Sequence, residues 1–294
     1  DMATDNNGGA NYVANVSAFY GATTSATQSA AFGGTGFFNF NGSGQTFTLD
    51  QVNTYTGETQ IDAGTVALSG SLNSSSMIFL GSGGNASDAS LSLSGTTTLS
   101  NNMQVNVSSG SGARGIIKAD ATSQIASGNI TNNRNSTINV AEAGGNLNLS
   151  GVLSGGSAME KTGAGTLVLS GSSANTMSGL LTVGAGEVVL SKAANTSALG
   201  GAVTVASDAT LRTTAANQFG NNLATVNGTL NLADNSQSLA LRGSGTVSLG
   251  AATLTNNVGG SDTFAGKITG TGNLVKTGTG TAFLESIACH RQRH

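Results

Sequence analysis

Short aliphatic stretches along the chain alternate with polar residues at period two. They include Thr65-Val66-Ala67-Leu68, Leu91-Ser92-Leu93, Gln104-Val105-Asn106-Val107 and Thr137-Ile138-Asn139-Val140. Further on come Thr166-Leu167-Val168-Leu169, Glu187-Val188-Val189-Leu190, Ala202-Val203-Thr204-Val205 and Thr229-Leu230-Asn231-Leu232. Each predicts a strand of about three to five residues with one buried face. The stretches recur roughly every ten to twelve residues between residues 46 and 284, with Gly, Asn, Ser and Asp between them. No segment carries an i, i+3, i+4, i+7 stripe long enough for a helix. The pattern predicts an all-β protein.

Internal repetition decides which one. Lys161-Thr162-Gly163-Ala164-Gly165-Thr166 corresponds to Lys276-Thr277-Gly278-Thr279-Gly280-Thr281 at an offset of 115, within a longer alignment of 151–170 with 266–285. Asn53-Thr54-Tyr55-Thr56-Gly57 and Ile61-Asp62-Ala63-Gly64 correspond to Asn175-Thr176-Met177-Ser178-Gly179 and Val183-Gly184-Ala185-Gly186 at an offset of 122. A drifting, gap-tolerant repeat favours a solenoid over a closed barrel, because each coil needs only its neighbours. A sandwich would also want core aromatics, and the chain has no Trp and three Tyr. The expected fold is therefore a right-handed parallel β-helix of roughly ten coils of about 20–25 residues, stacked ~4.8 Å apart. The handedness follows by analogy with parallel crossovers. Residues 46–284 are expected to form the solenoid, 1–45 a cap-like N-terminal segment and 285–294 a basic tail outside the repeat.

Composition sharpens this picture. Of 294 residues, 44 are Gly and none is Pro. Gly supplies corners with positive φ, and strands paired on both sides need every backbone N–H. Charged residues make up only 9% and the net charge is −3, so nothing offers an electrostatic footprint for nucleic acid. No apolar run reaches the ~18 residues of a membrane-spanning helix. A single cysteine, Cys289, excludes an intrachain disulfide and a zinc site built on cysteines. The start, Asp1-Met2-Ala3, lacks a signal pattern and reads as a mature product or an excised fragment.

Gly163-Ala164-Gly165-Thr166-Leu167-Val168-Leu169-Ser170-Gly171, followed by Asn175-Thr176-Met177-Ser178-Gly179 and Ala185-Gly186-Glu187-Val188-Val189-Leu190, resembles the autotransporter-associated β-strand repeat. Asn53-Thr54-Tyr55-Thr56-Gly57 with Ala63-Gly64-Thr65-Val66 is a closer match to its second half, and a third copy begins at Lys276. The motif covers about a third of the chain. The resemblance implies the β-helical passenger of a type V secreted bacterial surface protein, often an adhesin, exported through a C-terminal translocator barrel. No such barrel is present in this sequence.

Candidate chemistry is sparse. Both histidines, His290 and His294, lie with Cys289 in the terminal tail, which is expected to be a simple terminus rather than a metal site. Gly110-Ser111-Gly112-Ala113-Arg114-Gly115 matches a dinucleotide fingerprint but runs into Ile116-Ile117-Lys118, a strand with no helix N-terminus for a pyrophosphate. Asp50, Glu58 and Asp62 could converge across coils as a glycosidase pair, but solvated turn residues are the simpler expectation. Gly83-Gly84-Asn85-Ala86-Ser87-Asp88 and Gly259-Gly260-Ser261-Asp262 only approach a calcium-binding nonapeptide. Thr96-Thr97-Thr98 shows no coil-by-coil register of the kind that ice binding needs. Phe19, Tyr20, Phe32, Phe37, Phe38 and Phe40 could form an adhesive aromatic patch, with a cap over the first coil the favoured alternative.

No catalytic, cofactor or metal residue is therefore assigned. The expected role is a non-enzymatic scaffold on the bacterial surface or outside the cell, meeting a host-cell, neighbouring-cell or matrix surface through protein or glycan. Self-assembly through end coils into filaments is the alternative, favoured by low charge and the absence of Pro. A glycan-degrading β-helix is the third possibility.

Overall fold

The computed structural model describes residues 19–20, 24–28, 30–73, 77–81, 87–96, 98–106 and 112–287. It is an all-β parallel solenoid of about 12 turns. Among the described residues there is no helix, and every strand pairing is parallel. Each predicted alternation overlaps a strand, although Val107 falls outside the described residues.

Register explains the alternation. Phe47, Val66, Leu91, Ile116, Ile138, Lys161, Val183, Val205 and Val226 stack as successive ladder partners, all buried. On a second ladder Leu147, Leu167, Val188, Leu211, Leu230, Val247 and Ile268 do the same. Residues one position away face outward: Thr65, Ser90, Gly115, Thr137, Glu160, Thr182, Thr204, Thr225 and Arg242 form a column along the surface. Burying each Leu, Val or Ile contributes about 1.5–3 kcal/mol, and the parity of two keeps that gain on one face only.

Coil length varies with the turns. The stretch of chain from Val66 to its ladder partner Leu91 is longer than that from Leu230 to its partner Val247. Several strands are longer than the sequence pattern predicts, because they turn a corner without breaking their pairing. In Thr59–Leu68 the bend falls at Gly64, whose φ is +83°. A Cβ there would collide with Gly42 O, so the corner excludes any side chain. Near the N-terminal end, Phe38, Phe40 and Phe47 are buried, and Phe32 stacks on Phe38 with ring centroids 5.9 Å apart. These aromatics fill coil interiors, while Phe37 is exposed. The side chains of Phe19 and Tyr20 lie outside the described residues.

Candidate functional site

The repeated motifs turn out to be coil-to-coil fasteners. Lys161 is completely buried and donates from Nζ to Gly163 O at 2.8 Å and to Ala185 O of the next coil at 2.9 Å. Gly163 has φ +77°, and Gly165 N and Thr166 N donate back to Val140 O and Gly145 O. The copy at Lys276 builds the same turn. Lys276 Nζ donates to Gly278 O at 2.7 Å, Gly278 has φ +76°, and Gly280 N and Thr281 N reach Val258 O and Gly260 O. Lys276 is exposed, because it belongs to the last described coil. The second motif behaves alike. Asn53 Oδ1 accepts from Phe32 N and Asn175 Oδ1 from Leu153 N, both at 2.9 Å and both bonds reaching the preceding coil. Buried amide groups are satisfied this way where the strand ladder is interrupted.

Corner cations are the feature that the sequence reading missed. Lys118, Lys161, Lys192 and Arg114 are all about 1% exposed or less. Lys118 bonds Asp120 and, at 3.0 Å, Thr122 Oγ1; Lys192 Nζ donates to Gly151 O at 2.9 Å; Arg114 donates to Ser87 O at 2.8 Å. Burial pushes the Lys161 ammonium down to about 8 and lowers Lys192 as well. For Arg114 burial is again the main depressing influence, with Arg134 adding to it and Asp88 and Asp62 opposing. Burial alone would raise the Asp120 carboxyl. Bonds from Lys118, Thr122 and the Gly95 and Thr122 N–H groups instead hold it well below the usual carboxylate range. A signal did exist: in Ile116-Ile117-Lys118 the inward parity set by Ile116 points Lys118 into the core.

Of the candidate carboxylates, Asp50 is exposed and Glu58 half-buried. Asp62 is buried, not solvated, and accepts from Asn39 Nδ2 at 2.8 Å, while Glu58 accepts from Gln60 Nε2 and Asp50 from Gln51 Nε2. Asp88 caps Ala113 N, Glu187 pairs with Arg212 at 2.8 Å, and Asp262 is buried against Arg242. Each of these carboxylates thus meets an amide, a cation or a main-chain N–H. Among the described residues no group of three or more His, Cys, Asp or Glu side chains could hold a metal. Cys289, His290 and His294 lie outside the described residues, as do Gly110 and Ser111 of the fingerprint, residues 83–86 and Thr97. The rest of the fingerprint enters the strand Arg114–Lys118, as its sequence predicts.

Chemistry is therefore left to the outward side chains, dominated by Thr, Ser and Asn. Among the described residues no helix is long and apolar enough to cross a membrane. The passenger-associated-transport-repeat family model matches residues 42–68 and 159–190. These spans hold the Gly64 corner, the Lys161 turn and the Asn175 clip. Searches of curated proteins and of solved structures gave no significant match. A passenger repeat implies secretion to the cell surface. Two such repeats, set into one continuous parallel β-solenoid, fit an autotransporter passenger repeat protein.

Proposed function

We propose that the chain is a non-enzymatic scaffold, displayed at or released from the bacterial surface, which presents its outward side chains to a host-cell, neighbouring-cell or matrix surface. The observation that carries this reading is the division of labour between the two faces. Motif residues and the buried charged groups fasten coils together, and the outward column from Thr65 to Arg242 is polar and nearly neutral. Asp62, Asp88, Glu187 and Asp262 are engaged by an amide, a main-chain N–H or a cation. The test is binding of beads coated with the purified chain to cells and matrix-coated surfaces. Saturable binding to at least one surface, by a chain that stays monomeric on dilution and releases no reducing ends from polysaccharides, is the expected result. Uniform absence of binding, or release of sugar ends, overturns it.

Self-association is the second reading, and a specific feature supports it. The strands Asn273–Thr277 and Thr281–Ile287 each pair on one side only among the described residues, and Val275 and Phe283 there are 42% and 54% exposed. An edge carrying exposed apolar side chains is a template for further strands, whether of a following coil or of a second copy. Under this reading V275K/F283K abolishes concentration-dependent polymers in sedimentation velocity. Polymers that persist unchanged in the double variant exclude this edge.

A further inference from the structure

One break in the outward column has no backbone reason. Most interior glycines are forced by the neighbouring coil: a Cβ on Gly163 would collide with Val140 O. Gly115 is different. It sits within the strand Arg114–Lys118, flanked on the surface by Ser90 and Thr137, and its φ lies outside the left-handed region. A Cβ there would meet only Thr137 O at 3.4 Å and Ser90 Oγ at 3.5 Å, which is ordinary contact. A strand-interior glycine forfeits packing and conformational stability, and it marks a place where another group approaches closely.

Beside it the surface sinks into a depression of about 680 Å³, the size of a small-ligand site. Asn133, Arg134, Asn135 and Thr137 line it, with Glu160 and Thr182 from the coils that follow. Arg134 is half-buried there. Arg114 lies close enough behind it for their like charges to oppose each other, although its own guanidinium turns inward to Ser87 O. The lining thus carries the cationic Arg134 and the acidic Glu160. Its remaining lining combines amide and hydroxyl side chains with Gly112, Ala113, Ala158 and the buried Met159.

We propose that this depression is a subsite for an acidic glycan, with Arg134 taking a carboxylate of the ligand and the surrounding amides and hydroxyls taking its hydroxyl groups. Planar guanidinium matches carboxylate geometry, and the amide and hydroxyl side chains around it suit a polyhydroxylated chain. Gly115 lies beside this lining, next to Arg114 and paired with Thr137, and leaves the adjoining stretch of the column without a side chain. The assignment deepens the display reading above and rests on it.

The test is calorimetric titration of the purified chain with oligogalacturonate, with its carboxyl-reduced counterpart and with polyglutamate. Oligogalacturonate is expected to bind, more weakly as salt rises, and the reduced sugar at least about tenfold more weakly, as the loss of a charge-assisted bond requires. R134Q and G115T are each expected to lose about tenfold or more. G115T restores a β-branched residue between Ser90 and Thr137, so its melting curve checks that the fold is intact. Absence of oligogalacturonate binding, equal binding of the reduced sugar, tighter binding of polyglutamate, or full binding by both variants overturns the subsite. Bead adhesion by the same proteins separates the two readings. Adhesion that survives in both variants rejects the subsite alone, whereas oligogalacturonate binding without adhesion to any surface rejects display alone.

Discussion

Replacing Lys161 by Met keeps the aliphatic stem and removes a charge that the fold buries between Ile138 and Val183. The ordinary lysine value is 10.5, and burial brings Lys161 to about 8. Between those two values the unfolded chain holds a proton that the folded chain has released. Stability therefore rises as pH climbs from about 8 to 10.5, by at most roughly 3–4 kcal/mol at roughly 1.4 kcal/mol per pH unit. Below pH 8 the ammonium is charged in both states, and the full cost of burying it is present. K161M deletes this slope, and it also deletes the donors that satisfy Gly163 O and Ala185 O. The assay is urea denaturation of both proteins at intervals from pH 7 to 10.5, followed by far-UV circular dichroism and reported as the difference between them. Lys192, lowered in the same direction, contributes equally to both and cancels. A difference that stays flat across that window, or that shows wild-type stability falling relative to K161M, refutes the reasoning.

Other perturbations probe the remaining fasteners. Asn175→Ala strands Leu153 N and Ala198 O inside the coil and is expected to cost about 2 kcal/mol or more in urea titrations; a loss under about 0.5 kcal/mol would show that water replaces the amide. Gly64→Ala drives its Cβ into Gly42 O and is expected to destabilise by well over the roughly 1–2 kcal/mol of a left-handed alanine, whereas Gly95→Ala, with φ +77° and nothing within 4 Å, stays near that figure. Equal losses at the two sites would rule out the coil contact as the cause. Leu190→Ala opens a void at a fully buried position and is expected to cost about 2–5 kcal/mol. Hydrogen exchange should rise first in the strands Thr166–Gly171 and Ala209–Thr213 that flank it, and uniform acceleration along the rod would argue against nearest-neighbour stability.

The strands and their parallel stacking were legible because parity is a strong signal. In Leu181-Thr182-Val183 and Val203-Thr204-Val205 one reading of inside and outside serves both coils, and the register pairs them residue for residue. The repeat motifs were equally visible, but their chemistry was not. Nothing in Lys161-Thr162-Gly163 announces that the ammonium bends back to the Gly163 carbonyl, because the pairing depends on a corner that only the next coil completes. Asp62 looked like a solvated turn residue, and Asp262 like the end of an imperfect calcium-binding stretch. They are buried, because Asn39 and Arg242 arrive from neighbouring coils. The depression at Arg134 was invisible for the same reason: its lining comes from several coils, and Gly115 resembles any other glycine until its surroundings are known.

Parallel stacking of successive coils in one register sets a ruler along the outer face. Thr137, Glu160, Thr182, Thr204 and Thr225 are consecutive partners there. Thr137 and Thr225 are thus four strand spacings apart, about 19 Å. Spin labels placed at these two positions, with Cys289 replaced by Ser, report that separation by pulsed dipolar spectroscopy. The predicted result is a single narrow distribution centred at about 19 Å, the four-spacing distance, broadened only by the label linkers. A distribution centred beyond about 30 Å, more than six strand spacings, or one with no defined maximum, would contradict the solenoid.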